Sequence, residues 1–159
     1  NVKDMRSSGE KTGGVLDDQM VDEDWKRPMD VMVADLINKE MQRAGITKLI
    51  PVTPENADYK MEIDIISFYG GTKESESGGS VKRWFVPRVA VGVAKFQIIL
   101  KDRKGKEIVN VEYTGTSQQE MARMSNYHRG SIKNAGLSLW QVISQILNEL
   151  DTAQLHPQE

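Results

Sequence analysis

The stretch RVAVGVAKFQIILKDRKGKEIVNVEYTGTS, residues 88–117, decides the fold. Its first half places Ala90, Gly92, Ala94, Phe96, Ile98 and Leu100 on alternate positions, the two-residue period of a strand with one buried face. The segment KDRKGKE follows, and Asp102 and Gly105 supply the residues that a tight turn needs. A second run then puts Val109, Val111 and Tyr113 inward. Two antiparallel strands joined by a hairpin are therefore predicted. The alanines and the glycine in the first row leave room for a helix to lie close to the sheet.

Upstream, ADYKMEIDIISFY at 57–69 alternates in the same way, with Tyr59, Met61, Ile63 and Ile65 on one side and Lys60, Glu62 and Asp64 on the other. It reads as a third strand with one wet face. Between the two lies YGGTKESESGGSVKRWFVPRV, taken as a long loop over 70–86 whose foot carries Lys82, Arg83, Trp84 and Arg88. The preceding connection, ITKLIPVTPEN, holds two prolines and admits at most an edge strand at 48–50.

Helical spacing flanks this meander. Met29, Met32, Val33, Leu36, Ile37, Met41 and Ala44 fall on one face, behind Pro28 and ahead of the stop at Gly45. Near the C-terminus, Ile132, Ala135, Leu139, Trp140, Ile143, Ile146, Leu147 and Leu150 trace an apolar stripe. A residual strand at 2–5 would add a fourth strand, parallel to its neighbour through a right-handed crossover. The expected fold is an α+β two-layer domain: a mostly antiparallel sheet of three to four strands with two helices on one face. The expected division is a polar, acidic and loosely held arm over 1–24, a single domain over 25–151 and a frayed tail over 152–159. Trp25 marks where the arm meets the core.

With 159 residues the chain is one domain's worth. A net charge of −2 provides no global field for nucleic acid or an anionic membrane. The lack of cysteine removes disulfides, thiolate catalysis and zinc-thiolate sites. No apolar run approaches the roughly 20 residues that span a bilayer. Because the chain begins at Asn1, a signal or anchor is expected upstream.

Candidate chemistry is sparse. Asp17, Asp18, Asp22, Glu23 and Asp24 could offer oxygens to calcium, but the glycine and terminal glutamate of a calcium loop are missing, so a solvated acidic arm is preferred. His128 and His156 have no partner motif and read as surface residues. Met29, Met32, Met41 and Met61 fall on core faces. The glycine pairs of the loop are followed by no helix, so no phosphate-binding loop is present. No catalytic residue, cofactor or metal is expected. The basic-aromatic group Lys82, Arg83, Trp84 and Arg88 is the candidate contact, able to stack on a sugar or base or anchor a partner protein, or else to pack as a strand end.

The element order, carried by KDMRS at 3–7, MDVMVADLINKEMQRAGI at 29–46, ADYKMEIDIISF at 57–68, AKFQIILKDRKGKEIVNVEYTG at 94–115 and LSLWQVISQILNEL at 137–150, resembles the YajG-like lipoproteins of Gram-negative bacteria. The resemblance implies a domain anchored from the periplasmic side, at the outer membrane, by a lipidated cysteine upstream of Asn1. It implies a non-enzymatic accessory protein that binds or helps assemble envelope components. An envelope protein is the expected partner, self-association a second option, and nucleic acid is not expected. The alternative is a soluble module that binds a small ligand or envelope glycan through residues 82–88.

Overall fold

In the computed structural model, which describes residues 1–17, 19–25, 27–45, 54–74, 88–121 and 127–153, nine elements follow one another. They are β1 (Val2–Asp4), α1 (Ser8–Thr12), a 3-10 turn (Asp22–Asp24), α2 (Met29–Arg43), a second 3-10 turn (Pro54–Asn56), β2 (Tyr59–Glu74), β3 (Arg88–Asp102), β4 (Glu107–Met121) and α3 (Tyr127–Thr152). One sheet orders the strands β1-β2-β3-β4. The β1–β2 pair is parallel, as expected of a leading strand, and the others are antiparallel. The helices pack on one side, giving the expected α+β architecture.

The hairpin forms where the sequence places it. Asp102 Oδ1 accepts the backbone N–H groups of Lys104 and Lys106, and Gly105 takes a left-handed φ of 80° that a side chain would disfavour. From this end Ile63, Ile65, Phe96, Ile98 and Leu100 bury fully beneath the helices. Met29, Val33, Ile37 and Met41 of α2 join the same core, and Met32 and Met61 pack at its margin.

Three expectations are corrected along the sheet. A β-bulge between Ile65 and Ser67 shifts the alternation by one residue, so that Phe68, Gly70 and Thr72 take over the helix-facing row. Strand β2 therefore runs to Glu74, and Gly70 and Gly71, expected in a loop, are strand residues. Val111 shares the face of Val109 and Tyr113 but stays 37% exposed. Strand β4 runs on to Met121, and α3 begins at Tyr127. The expected strand at 48–50 lies outside the described residues.

The small residues of the sheet have a steric cause. Gly70 and Gly92 are cross-strand partners, and Gly115 lies opposite Ala94. A Cβ on Gly70 would stand 2.2 Å from the Ser131 carbonyl oxygen, and one on Gly115 would stand 2.1 Å from that of Ser138. Small residues of α3, Gly130, Ser131, Ala135 and Ser138, complete the approach. Beyond them Leu139, Val142, Ile143, Ile146 and Leu150 fill the core. Trp140, expected on this stripe, is 43% exposed, whereas Val142, outside the expected stripe, is fully buried. Buried positions of α3 recur at steps of three and four, 131, 135, 138, 142 and 146, and residue 140 is off that row.

The described residues of the 1–24 segment are not loosely held. The Arg6 side chain is 1% exposed, ion-paired to Asp4 and Asp22 at 2.8 Å each. Ser7 and Glu10 form a capping box on α1, and the Ser67 hydroxyl of β2 donates to Glu10. The Gln19 side chain accepts from the backbone N–H groups of Val15 and Leu16 and donates to the Gly9 and Glu10 carbonyls. Met20 is buried in the core, its N–H bonded to the Gly70 carbonyl. The polar composition conceals this packing because the buried polar groups satisfy one another. Trp25 sits at the margin as expected, its ring 5.7 Å from that of Phe68.

Candidate functional site

The contact group read from the sequence is divided. Lys82, Arg83 and Trp84 lie outside the described residues. Arg88 opens β3, and its guanidinium donates to the Thr72 hydroxyl at 3.1 Å and to Asp17 at 3.2 Å while lying 5.4 Å from the Tyr127 ring centroid. These contacts fasten β2, β3, the N-terminal segment and the start of α3 together.

The acidic cluster is likewise dispersed. Asp17 faces Arg88, and Asp22 faces Arg6. Asp24 accepts the Val21 N–H and pairs with exposed His128 at 3.0 Å. Among the described residues no group of three or more His, Asp, Glu or Cys converges to hold a metal. His156 and Asp18 lie outside them. Burial would push the Asp4 carboxyl up, but the hydrogen bonds and charge of Arg6 prevail and hold it below its ordinary value.

A different surface emerges along the outer flank of α3. Leu137, Trp140, Gln141, Ser144 and Gln145 face Ser117 of β4 across an open groove of about 500 Å³. All six lining residues are uncharged. Leu137 is 44% exposed and Trp140 is 43% exposed. The Gln141 side-chain oxygen accepts the Thr116 N–H at 2.9 Å, and the Ser117 hydroxyl donates to Asn134 at 2.6 Å. Below, Tyr113 donates its hydroxyl to Glu149 at 2.8 Å; burial and this carboxylate push its pKa up to about 12.

This surface has the character of a contact face. Among the described residues seven large hydrophobic side chains are exposed, and three of them, Val111, Leu137 and Trp140, lie on the helix-facing row of β4 or this flank of α3. Interface centres are depleted of charge and enriched in aromatic anchors. The sequence reading misses it because the apolar stripe assigns Trp140 to the core. A signal exists nonetheless: residues 137, 140, 141 and 144 form an uncharged row at helical spacing.

No protein-family model matches the sequence, and no curated protein matches it. Solved structures do match. They include a candidate lipoprotein from Caulobacter crescentus CB15, 10% identical, with 94% of this chain and 88% of that chain covered and a TM-score of 0.47. A minor lipoprotein from Acinetobacter baumannii is 12% identical, with 83% and 91% covered and a TM-score of 0.48. Protein XCC0632 from Xanthomonas campestris is 16% identical, with 80% and 61% covered and a TM-score of 0.45.

Proposed function

We propose that the chain is a non-enzymatic accessory domain of the Gram-negative envelope. It is held at the outer membrane from the periplasmic side by a lipidated residue preceding Asn1, and works by contact with other envelope components. The setting comes from the YajG-like resemblance of its sequence segments. The contact role is carried by one observation: an uncharged groove beside β4, in which Trp140 and Leu137 remain exposed although the core beneath them is filled. An aromatic anchor ringed by neutral hydrogen-bonding groups suits a partner surface, because no buried charge has to be desolvated.

A photo-crosslinking amino acid at position 140 or 137, introduced into the chain in its native envelope, tests this reading. Adducts are expected at both positions and not at position 97, whose side chain lies on the opposite face of the sheet. Absence of adducts at 137 and 140 overturns the contact role.

A further inference from the structure

We infer that the partner seated on this face is a second copy of the chain, paired antiparallel along β4 so that two four-stranded sheets become one. The inference rests on the reading of the α3–β4 face as a contact surface and names its occupant.

The first ground is the edge itself. Strand β4 is 15 residues long and ends the sheet. Natural edges are blunted by lysine, proline, bulges or shortness. The opposite edge strand, β1, has three residues. Between positions 107 and 121, by contrast, there is no lysine, arginine or proline, and the one register shift against β3 lies at the hairpin end. Among the described residues Gln141 covers a single donor of this edge, the Thr116 N–H. That bond also fixes the phase. The Thr116 N–H points away from β3, so by the two-residue period those of Asn110, Glu112, Thr114 and Gln118 do as well.

The second ground is self-complementarity, which a twofold interface requires. The register that seats Trp140, beside Ser117, over the exposed Val111 of the other copy places Thr114 on the axis. On the helix-facing side each Tyr113 then lies opposite Gly115. On the other side Glu112 meets Thr116, Asn110 meets Gln118 and Ile108 meets Glu120. No like charges are opposed, and Glu112 keeps its Lys95 partner on β3. Shifting the axis to Glu112 would set that carboxylate against itself; shifting it to Thr116 would set Glu112 against Glu120.

The third ground is the spacing of the helices. Helix α3 crosses the sheet from β2 to β4, its backbone at Ser131, Asn134 and Ser138 lying over Gly70, Gly92 and Gly115, and neighbouring strands are about 4.8 Å apart. A twofold axis at the β4 edge therefore brings the two α3 helices side by side where each passes over β4, near Ser138, close enough to pack. Their facing flanks are the uncharged row that includes Leu137, Trp140 and Ser144. On pairing, Gln141 releases the Thr116 N–H to the Glu112 carbonyl of the second copy, and the groove closes.

The chain's lack of cysteine makes the test direct. Light scattering over a concentration series should show a species of twice 17.9 kDa. Thr114→Cys should oxidise to a covalent dimer, since hydrogen-bonded antiparallel partners have Cα atoms about 5.5 Å apart, within disulfide range. Asn110→Cys should not cross-link alone but should do so combined with Gln118→Cys. Trp140→Glu should raise the dissociation constant at least about tenfold while leaving the melting midpoint of dilute protein unchanged. A single-chain mass at every concentration overturns the inference, as does a dimer in which Asn110→Cys cross-links as readily as Thr114→Cys. A chain that remains single while position 140 photo-crosslinks to another envelope component overturns self-pairing and leaves the contact role standing; loss of both overturns both.

Discussion

Gly92 lies so close beneath Asn134 that a Cβ at position 92 would stand 2.1 Å from the Asn134 carbonyl oxygen and 2.2 Å from its carbon. The obstacle is helix backbone, so no rotamer change relieves it. Gly92→Ala must lift α3 from the sheet, and overpacking of this kind costs about 1–3 kcal/mol, here toward or beyond the upper end. Gly136 is the control: it sits on the same helix, and a Cβ there would meet nothing within 4 Å. Gly136→Ala should stabilise by about 0.5–1 kcal/mol through helix propensity. Urea melts that rank the two variants in the opposite order would refute the close approach.

Arg6 offers a second measurement. Its guanidinium is buried and touches Asp4, Asp22 and, at 3.5 Å, the Phe68 carbonyl, so it ties β1 to the turn before α2 and to β2. Arg6→Met keeps most of the apolar stem but leaves Asp4 with only the more distant Lys11, at 3.5 Å, and Asp22 without its guanidinium. Loss of one member of a buried pair costs about 3–5 kcal/mol, and the partial exposure of Asp22 moves the expectation to the lower end, about 3 kcal/mol. An unchanged melting midpoint would show the N-terminal segment to be dispensable.

What the sequence discloses follows the range of the physics involved. The hairpin at Asp102 and Gly105, the rows of β3 and the closeness of helix to sheet at Gly92 are local or periodic, and they are legible. The bulge after Ile65 is not, because one extra residue reverses the alternation without altering composition. Burial of Arg6, Glu10 and Gln19 is hidden for another reason: their polarity is satisfied by partners up to 62 residues distant. Trp140 is misassigned because a broad apolar stripe does not reveal which of its members meets the sheet. The groove at Gln141 and Ser117 exists only once α3 is docked on β4.

Titration of Tyr113 gives a pH signature. Its pKa stands near 12 in the folded chain against an ordinary value of 10. The neutral phenol is therefore favoured by folding, so its contribution is fully present below pH 10 and is lost as the pH rises toward 12. The melting midpoint of the native chain should fall more across that interval than that of Tyr113→Phe, which cannot ionise. Parallel curves for the two proteins would show that the phenol does not donate to Glu149.

The flank of α3 is tested by a pair of substitutions two residues apart. Val142 is fully buried among the sheet-facing residues, and truncating it to alanine removes buried methyl groups and leaves a cavity. A loss of about 1–3 kcal/mol is expected, by comparison with larger aliphatic truncations of about 2–5 kcal/mol. Trp140 has the larger side chain, but 43% of it is exposed and it lines the groove instead of the core. Trp140→Ala in dilute protein should therefore cost less than Val142→Ala, within about 1 kcal/mol of the native chain. The two effects separate burial from side-chain size, since a size-based expectation predicts the reverse order. Equilibrium urea melts at low protein concentration decide between them, and a Trp140→Ala loss exceeding that of Val142→Ala would return the indole to the core and remove the exposed anchor from the α3–β4 face.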